Sequence, residues 1–382
     1  MSIIHNNTGL ILSGGGARAA YQVGVLLAVK NILPPQNNPF PIIAGTSAGA
    51  INAVFLASTS DDFQHGAENL EKLWRQLTLE HVFRTGWRDL SGGLYRILRS
   101  FFQEGVDYHR PLSLLDNSPL NHFLKQNIDF SGIQRNINYG ILKAVSVAAL
   151  GYSSSKSVSF FQGQDDLSEW SRARRVGVKA TLSMEHLLAS SAIPWVFPTV
   201  RIDKEYFGDG AMRQLAPISP ALHLGADKVF IIGVSGNRSA RHKHHQRKPK
   251  YAPSMAQMAA QMLNSGFIDS LETDIEHLEQ INSLVDSMPE LARKKNKLPL
   301  RSVKALVISP SKDIDKIAGR HIRYLPKSLR FFLRSSGVSA RRGGSALASY
   351  LLFTPSFISE LIDLGYQDTM WEEASIKEFF DA

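Results

Sequence analysis

Gly45-Thr46-Ser47-Ala48-Gly49 fits the pattern G-x-S-x-G, in which small flanking residues allow a sharp strand-to-helix turn that lifts a serine hydroxyl above a sheet. Ser47 is therefore a candidate nucleophile. It stands before an alanine-rich apolar stretch, Ala50 to Ser58, that reads as a helix, and the free N–H groups and dipole of a helix N-terminus favour developing negative charge. The alternative is a plain helix start. The apolar run Pro41-Ile42-Ile43-Ala44 just upstream supplies the strand that the catalytic reading requires. The chain has no cysteine, which excludes a disulfide scaffold, thiolate metal sites and a cysteine nucleophile. Any covalent catalysis must use another residue.

A serine needs somewhere for an oxyanion to rest and a base for its proton. Gly14-Gly15-Gly16-Ala17-Arg18-Ala19 satisfies G-x-G-x-x-A, a dinucleotide fingerprint, but that motif needs an acid about 20 residues further on. The first acid in the chain is Asp61. No Gly-Lys-Ser/Thr follows either, so a Walker-type phosphate loop fails. Two readings remain, a tight turn or an oxyanion loop whose N–H groups are free of side-chain obstruction. In Phe207-Gly208-Asp209-Gly210-Ala211 a carboxylate lies between two glycines after a strand-like run. Alone it is a turn signal; beside Ser47 and the glycine loop it is a candidate base.

These groups sit on a repeated unit. Leu10-Ile11-Leu12 runs into the glycines and a helical stretch from Ala17 to Lys30, and residues 41–58 repeat the order of strand, glycine turn and helix. Such repetition implies parallel strands with crossover helices. Residues 63–135 read as amphipathic helices. Further strand-like runs occur at 142–149, 158–161, 229–234 and 303–308, all compatible with one mixed sheet. Residues 182–192 read as a helix with Ser183 as N-cap and Pro194 past its end. The length of 382 residues, with 43% hydrophobic and 20% charged, suffices for a large core and rules out wholesale disorder.

The order of LSGGGARAAYQVGVL (12–26), GTSAG (45–49), SSAIPWVFP (190–198) and GDGA (208–211) resembles the patatin-like phospholipases. The likeness extends through LLDNSPL (114–120), APISPALHLGADKV (216–229) and, more loosely, SYLLFTPSFISELIDLGYQD (349–368). Residues 236–300 carry no match. The resemblance implies an α/β fold, a mixed and largely parallel central sheet sandwiched by helices, with the nucleophile elbow after an early strand. It also implies a serine lipid acyl hydrolase working through a Ser–Asp dyad without histidine. Carried over by motif, Ser47 is the nucleophile, Asp209 the base, Gly14, Gly15 and Gly16 the oxyanion loop, and Arg18 a residue shaping that loop. Gly45, Thr46, Ala48 and Gly49 form the elbow, and Gly210 and Ala211 flank the base. Ala211 stands where many members have a second glycine. Pro194 either walls the site or stops a helix.

The expected division is a catalytic core at 8–222, with a helical insertion at about 63–135, and a C-terminal extension at 223–382 packed on it. The extension includes a basic, mobile segment at about 237–250. No cofactor and no metal are expected: His242, His244 and His245 lie in a charged run without carboxylates. The expected substrate is a glycerophospholipid, a lysophospholipid or another lipid ester, and no nucleic acid is expected. Lys and Arg number 43 against 34 Asp and Glu, a net charge of +9, which favours anionic surfaces. Segments 94–102 and 320–334 mix aromatic and basic residues; the first is an ordinary helix packed on the core or a lipid-facing cap, the second an ordinary surface helix or a lipid-facing one. With no span of about 18 apolar residues and no basic-then-apolar start, a cytoplasmic protein with peripheral membrane contact is expected. Two other readings stay open: a Ser–His–Asp hydrolase drawing on His223, His277 or His321, and a non-catalytic membrane-binding protein on the same fold.

Overall fold

The structure, a computed structural model, describes residues 7–35, 38–100, 111–214, 216–235, 255–288, 301–335 and 345–381. The expected basic segment at 237–250, with its three histidines, lies outside the described residues, as do Phe101 and Phe102.

Thr8–Leu12 (β1) is apolar and buried along its whole length, the signature of a strand covered on both faces. Its alternate residues serve two cores. Leu10 and Leu12 face one layer and Ile11 the other. A tight 3-10 turn, Gly16–Ala19, and then helix Ala20–Ile32 (α1) lead to Ile42–Thr46 (β2) and Ala48–Ser58 (α2). The continuous helix expected from Ala17 thus starts later. Gly16 has φ of 55°, and the Arg18 N–H closes back on Gly15 O at 3.1 Å; this tight loop puts the α-helix three residues further on.

Phe63–Gln76 (α3) opens a helical region continued by Leu79–Val82, Trp87–Ser100, Ser118–Asn127 and Phe130–Asn138. The remaining strands are Ala144–Gly151 (β3), Ser157–Gly163 (β4), Trp170–Arg172 (β5), Arg175–Lys179 (β6), Val200–Ile202 (β7), Glu205–Asp209 (β8), Lys228–Ile232 (β9) and Lys304–Ile308 (β10). All ten form one sheet in the order β10-β9-β1-β2-β3-β4-β6-β5, with β8 on β3 and β7 on β8. From β10 to β3 every pairing is parallel; β4 joins β3 antiparallel. The fold is therefore α/β, with a largely parallel central sheet between helices.

On the first face lie α1, α2, α3 and the C-terminal helix Pro355–Trp371; on the second lie Ser219–His223 and Ser270–Ser287, which supplies Leu271 and Leu278. The Tyr21 hydroxyl of α1 donates to Asp368 Oδ2 at 3.0 Å, tying the C-terminal helix to the first crossover. Among the described residues no single helix is long and apolar enough to cross a membrane.

Candidate active site

The site forms at the carboxyl ends of β1 and β2, where open α/β sheets generally leave a crevice. β4 pairs with one edge of β3 over residues 144–150, so β2 and β8 must share the other edge. β2 runs parallel to β3 and ends with Thr46 opposite Ala148; β8 runs antiparallel and ends with Asp209 opposite Ala149. Two strand ends therefore abut on one edge, and the residues that follow or close them meet. Ser47 Oγ donates to Asp209 Oδ2 at 2.6 Å.

Ser47 turns the chain from strand to helix with φ of 55° and ψ of −129°. A non-glycine residue at positive φ costs on the order of 1 to 3 kcal/mol and persists only where neighbours over-determine it. Here the Ser47 N–H donates to Ser190 Oγ at 2.8 Å, and that hydroxyl donates to Ala148 O at 2.6 Å. Ser190 thus bolts the elbow to β3. The turn also needs space: a Cβ on Gly49 would lie 2.4 Å from Leu12 O, so only glycine lets the start of α2 approach the end of β1.

Asp209 is fully buried. Its N–H donates to Ala192 O at 2.9 Å, and its Oδ1 accepts the Ala211 N–H at 2.9 Å. Burial pushes its carboxyl up to about 7, against which the hydrogen bonds from Ser47 and Ala211 pull down. A carboxylate this basic can take a serine proton near neutral pH. Partial burial and the Asp209 charge in turn push the nearby Tyr152 phenol up.

The glycine loop is buried and tethered from behind. Gln22 Nε2 donates to Ser13 O at 2.8 Å, Asn52 Nδ2 to Gln22 Oε1 at 2.9 Å, and Trp74 Nε1 to Asn52 Oδ1 at 2.7 Å. Arg18 does not enter the cavity lining. Its guanidinium turns to the C-terminal part of the chain, where Nε donates to Ser349 Oγ at 2.8 Å and a terminal nitrogen pairs with Asp315 Oδ1 at 2.6 Å. It also lies 4.1 Å from the Tyr350 ring centre. A Cβ on Gly16 would meet Tyr350 O at 2.2 Å, so the loop rests directly on that segment.

Ser47 and Gly16 line the same narrow cavity. Its walls are apolar: Ile51 from α2, Leu73 and Trp74 from α3, Leu120, Phe123 and Leu124 from Ser118–Asn127, then Ile193, Phe197, Tyr350 and Phe353. Pro194 lies in the chain between two wall residues. The Trp74 indole N–H is taken by Asn52, so the ring presents carbon to the interior. The arrangement sets apolar carbon walls beside the Ser47 hydroxyl.

The three histidines of the alternative triad lie apart from this centre. His321 bonds Glu360 Oε2 at 2.7 Å and Ser356 Oγ at 3.0 Å, His223 stacks on Trp170 with ring centres 4.9 Å apart, and His277 is exposed. Ser190, Gln22, Asn52 and Asp315 carry no local signal for these parts. Ser190 falls inside the 190–198 motif, but its bond to Ser47 spans 143 positions.

A model of the patatin-like phospholipase family matches residues 10–222. Over 78 residues the chain is 37% identical to the patatin-like phospholipase domain-containing protein ZK370.4 of Caenorhabditis elegans, covering 19% of this chain and 6% of that protein's length. Among solved structures, VipD from Legionella pneumophila is similar at 14% identity and a TM-score of 0.36, over 97% of this chain and 67% of that one. Human GIVD cytosolic phospholipase A2, in complex with methyl γ-linolenyl fluorophosphonate, is similar at 10% identity and a TM-score of 0.37, over 98% and 59%.

Proposed function

Because the chain belongs to the patatin-like phospholipase family, we propose that it is a serine lipid acyl hydrolase that cleaves fatty-acyl esters of glycerophospholipids or lysophospholipids. The observation that carries the reading is the 2.6 Å hydrogen bond from Ser47 Oγ to a fully buried Asp209, at the wall of an apolar cavity.

Ser47 Oγ attacks the acyl carbonyl while its proton passes to Asp209 Oδ2. Negative charge develops on the carbonyl oxygen, and the N–H groups of the Gly14-Gly15-Gly16 loop, with the N-terminus of α2, hold it. The C–O bond to the glycerol side breaks, and the departing alkoxide takes the proton from Asp209. Water then attacks the acyl-enzyme, gives its proton to Asp209, and releases the fatty acid as Ser47 recovers that proton. Arg18, held by Asp315 and Ser349, keeps the loop seated without touching the substrate. Residues 8–222 hold this machinery, while Asp315, Ser349 and Tyr350 brace it from the C-terminal extension.

Purified protein incubated with a mixed lipid extract should release fatty acids and lysolipids, identified by mass spectrometry. Ser47→Ala and Asp209→Asn should each lower the rate by roughly three orders of magnitude or more, the double variant no further, since dyad members act as a unit. Full activity in Asp209→Asn would overturn the dyad.

A further inference from the structure

Exposed aromatic residues stand in or near the same segments as the walls of the Ser47 cavity. Trp195, between the wall residues Ile193 and Phe197, is 68% exposed and has φ of 62°, a conformation a bulky residue adopts only when its neighbours hold it there. They do: the Leu114 N–H donates to Trp195 O at 2.7 Å and the Leu115 N–H to Val196 O at 2.9 Å. Just past the wall residue Val82, Trp87 is 57% exposed and meets Phe331, 63% exposed, with ring centres 5.6 Å apart. The helix that bears Phe331 is joined to the 84–87 segment by Ser328 Oγ, which donates to Thr85 O at 2.6 Å, and that segment is joined to the 114–116 segment by the Arg84 N–H on Asp116 O at 3.0 Å. Hydrogen bonds thus join the three stretches that carry these aromatic residues. Soluble surfaces seldom gather large apolar side chains this way without a partner.

The charge beside Phe331 favours an anionic partner. Lys316 to Ser335 contains six Lys or Arg and no Asp or Glu. Two of them, Lys316 and Arg320, are paired with Asp313 and Glu360, and Lys327 and Arg330 lie on the same helix as Phe331. Tryptophan and phenylalanine settle at the boundary between headgroups and acyl chains, and nearby cations add attraction to anionic lipid. A folded protein or a second copy seated on these residues would cover the entrance; a lipid layer there presents an ester to it.

We infer that Trp87, Trp195 and Phe331 form a docking rim that seats the cavity mouth on an anionic lipid bilayer. The inference rests on the acyl-hydrolase reading for what enters the cavity, but its test does not use catalysis. Full-length Ser47→Ala protein is sedimented with vesicles of phosphatidylcholine, alone or mixed with phosphatidylglycerol, at several salt concentrations. More should bind to the mixed vesicles, and less as salt rises. Trp195→Ala, and the pair Trp87→Ala with Phe331→Ala, should each lower partitioning roughly tenfold. Trp371→Ala is the control: Trp371 is 73% exposed at the far end of Pro355–Trp371, about 25 Å along that helix from the cavity, and its loss should leave binding unchanged.

Partitioning that ignores the rim substitutions, or falls as much with Trp371→Ala, overturns the inference. So does a rim substitution that abolishes a self-association of the chain seen by size exclusion. On an otherwise wild-type background, the Trp87→Ala/Phe331→Ala protein should turn over a small soluble ester at the parent rate. Failure of the parent on that ester would count against the hydrolase reading and leave the vesicle result standing.

Discussion

Replacing Asp209 by asparagine should stabilise the fold while it abolishes activity, and the gain should depend on pH. In the fold the Asp209 carboxyl titrates at about 7; the free side chain titrates at 3.8. Below 3.8 both states hold the proton and the residue contributes nothing pH-dependent. Between the two values the native state holds the proton and the unfolded chain does not, so stability falls as pH rises, by about 1.4 kcal/mol per pH unit. Above about 7 the loss is complete, on the order of 4 kcal/mol, because a buried carboxylate with only two hydrogen-bond donors is kept where an unfolded one would be hydrated. Asparagine is neutral throughout, and its carbonyl can still accept the Ala211 N–H. Urea midpoints for the wild type and Asp209→Asn, measured at intervals from about pH 5 to about pH 8, should therefore diverge steadily and become parallel above neutrality. All other titrating groups are common to both proteins and cancel in the difference. Curves that stay parallel across the whole interval would refute the claim that burial holds this carboxyl near neutrality.

The same titration governs the rate: kcat/KM on a small soluble ester should rise with pH, about tenfold per unit below the Asp209 value of about 7, and level off above it. Ser190→Ala leaves the buried Ser47 N–H without its acceptor and should cost about 1 to 3 kcal/mol in a denaturation experiment, with a lower kcat. Asp315→Asn weakens a part-buried pair with Arg18; it should destabilise by about 1 to 3 kcal/mol and lower kcat more than it changes KM, because the loop moves while the cavity walls stay. Gly16→Ala has both a positive φ and Tyr350 O in the way, so its melting temperature should drop by several degrees or more.

The parts of this site with local chemistry could be read from the chain directly. Ser47 between small residues, the three glycines after β1 and Asp209 between two glycines each announce a turn, because turn geometry depends on the few residues that make it. Apolar continuity likewise marked β1, β2, β3, β4 and β9, the buried strands of the sheet, and β10, a half-exposed strand at its edge. β5, β6 and β7 carried no such mark: they are three to five residues long and mostly at the edge, where exposure relaxes the apolar pattern. Helix Met184–Ser190, with Ser183 as its cap, was legible from its terminators. The role of Ser190 at its end was not, because a hydroxyl reaching across 143 positions leaves no local trace.

What the sequence by itself determined is therefore the inventory: a serine elbow, a glycine loop, a buried-strand framework, a basic balance and the family. The tertiary structure decided the meetings. It set β2 and β8 end to end on one edge of β3, which brought Ser47 and Asp209 into contact over 162 positions. It turned Arg18 away from the cavity toward Asp315, and it brought Trp87 and Phe331 together from distant stretches of chain. Propensity and turn chemistry act over a handful of neighbouring residues. The pKa of Asp209, the shape of the cavity and the face it opens on depend on burial, which exists only once distant segments have packed together.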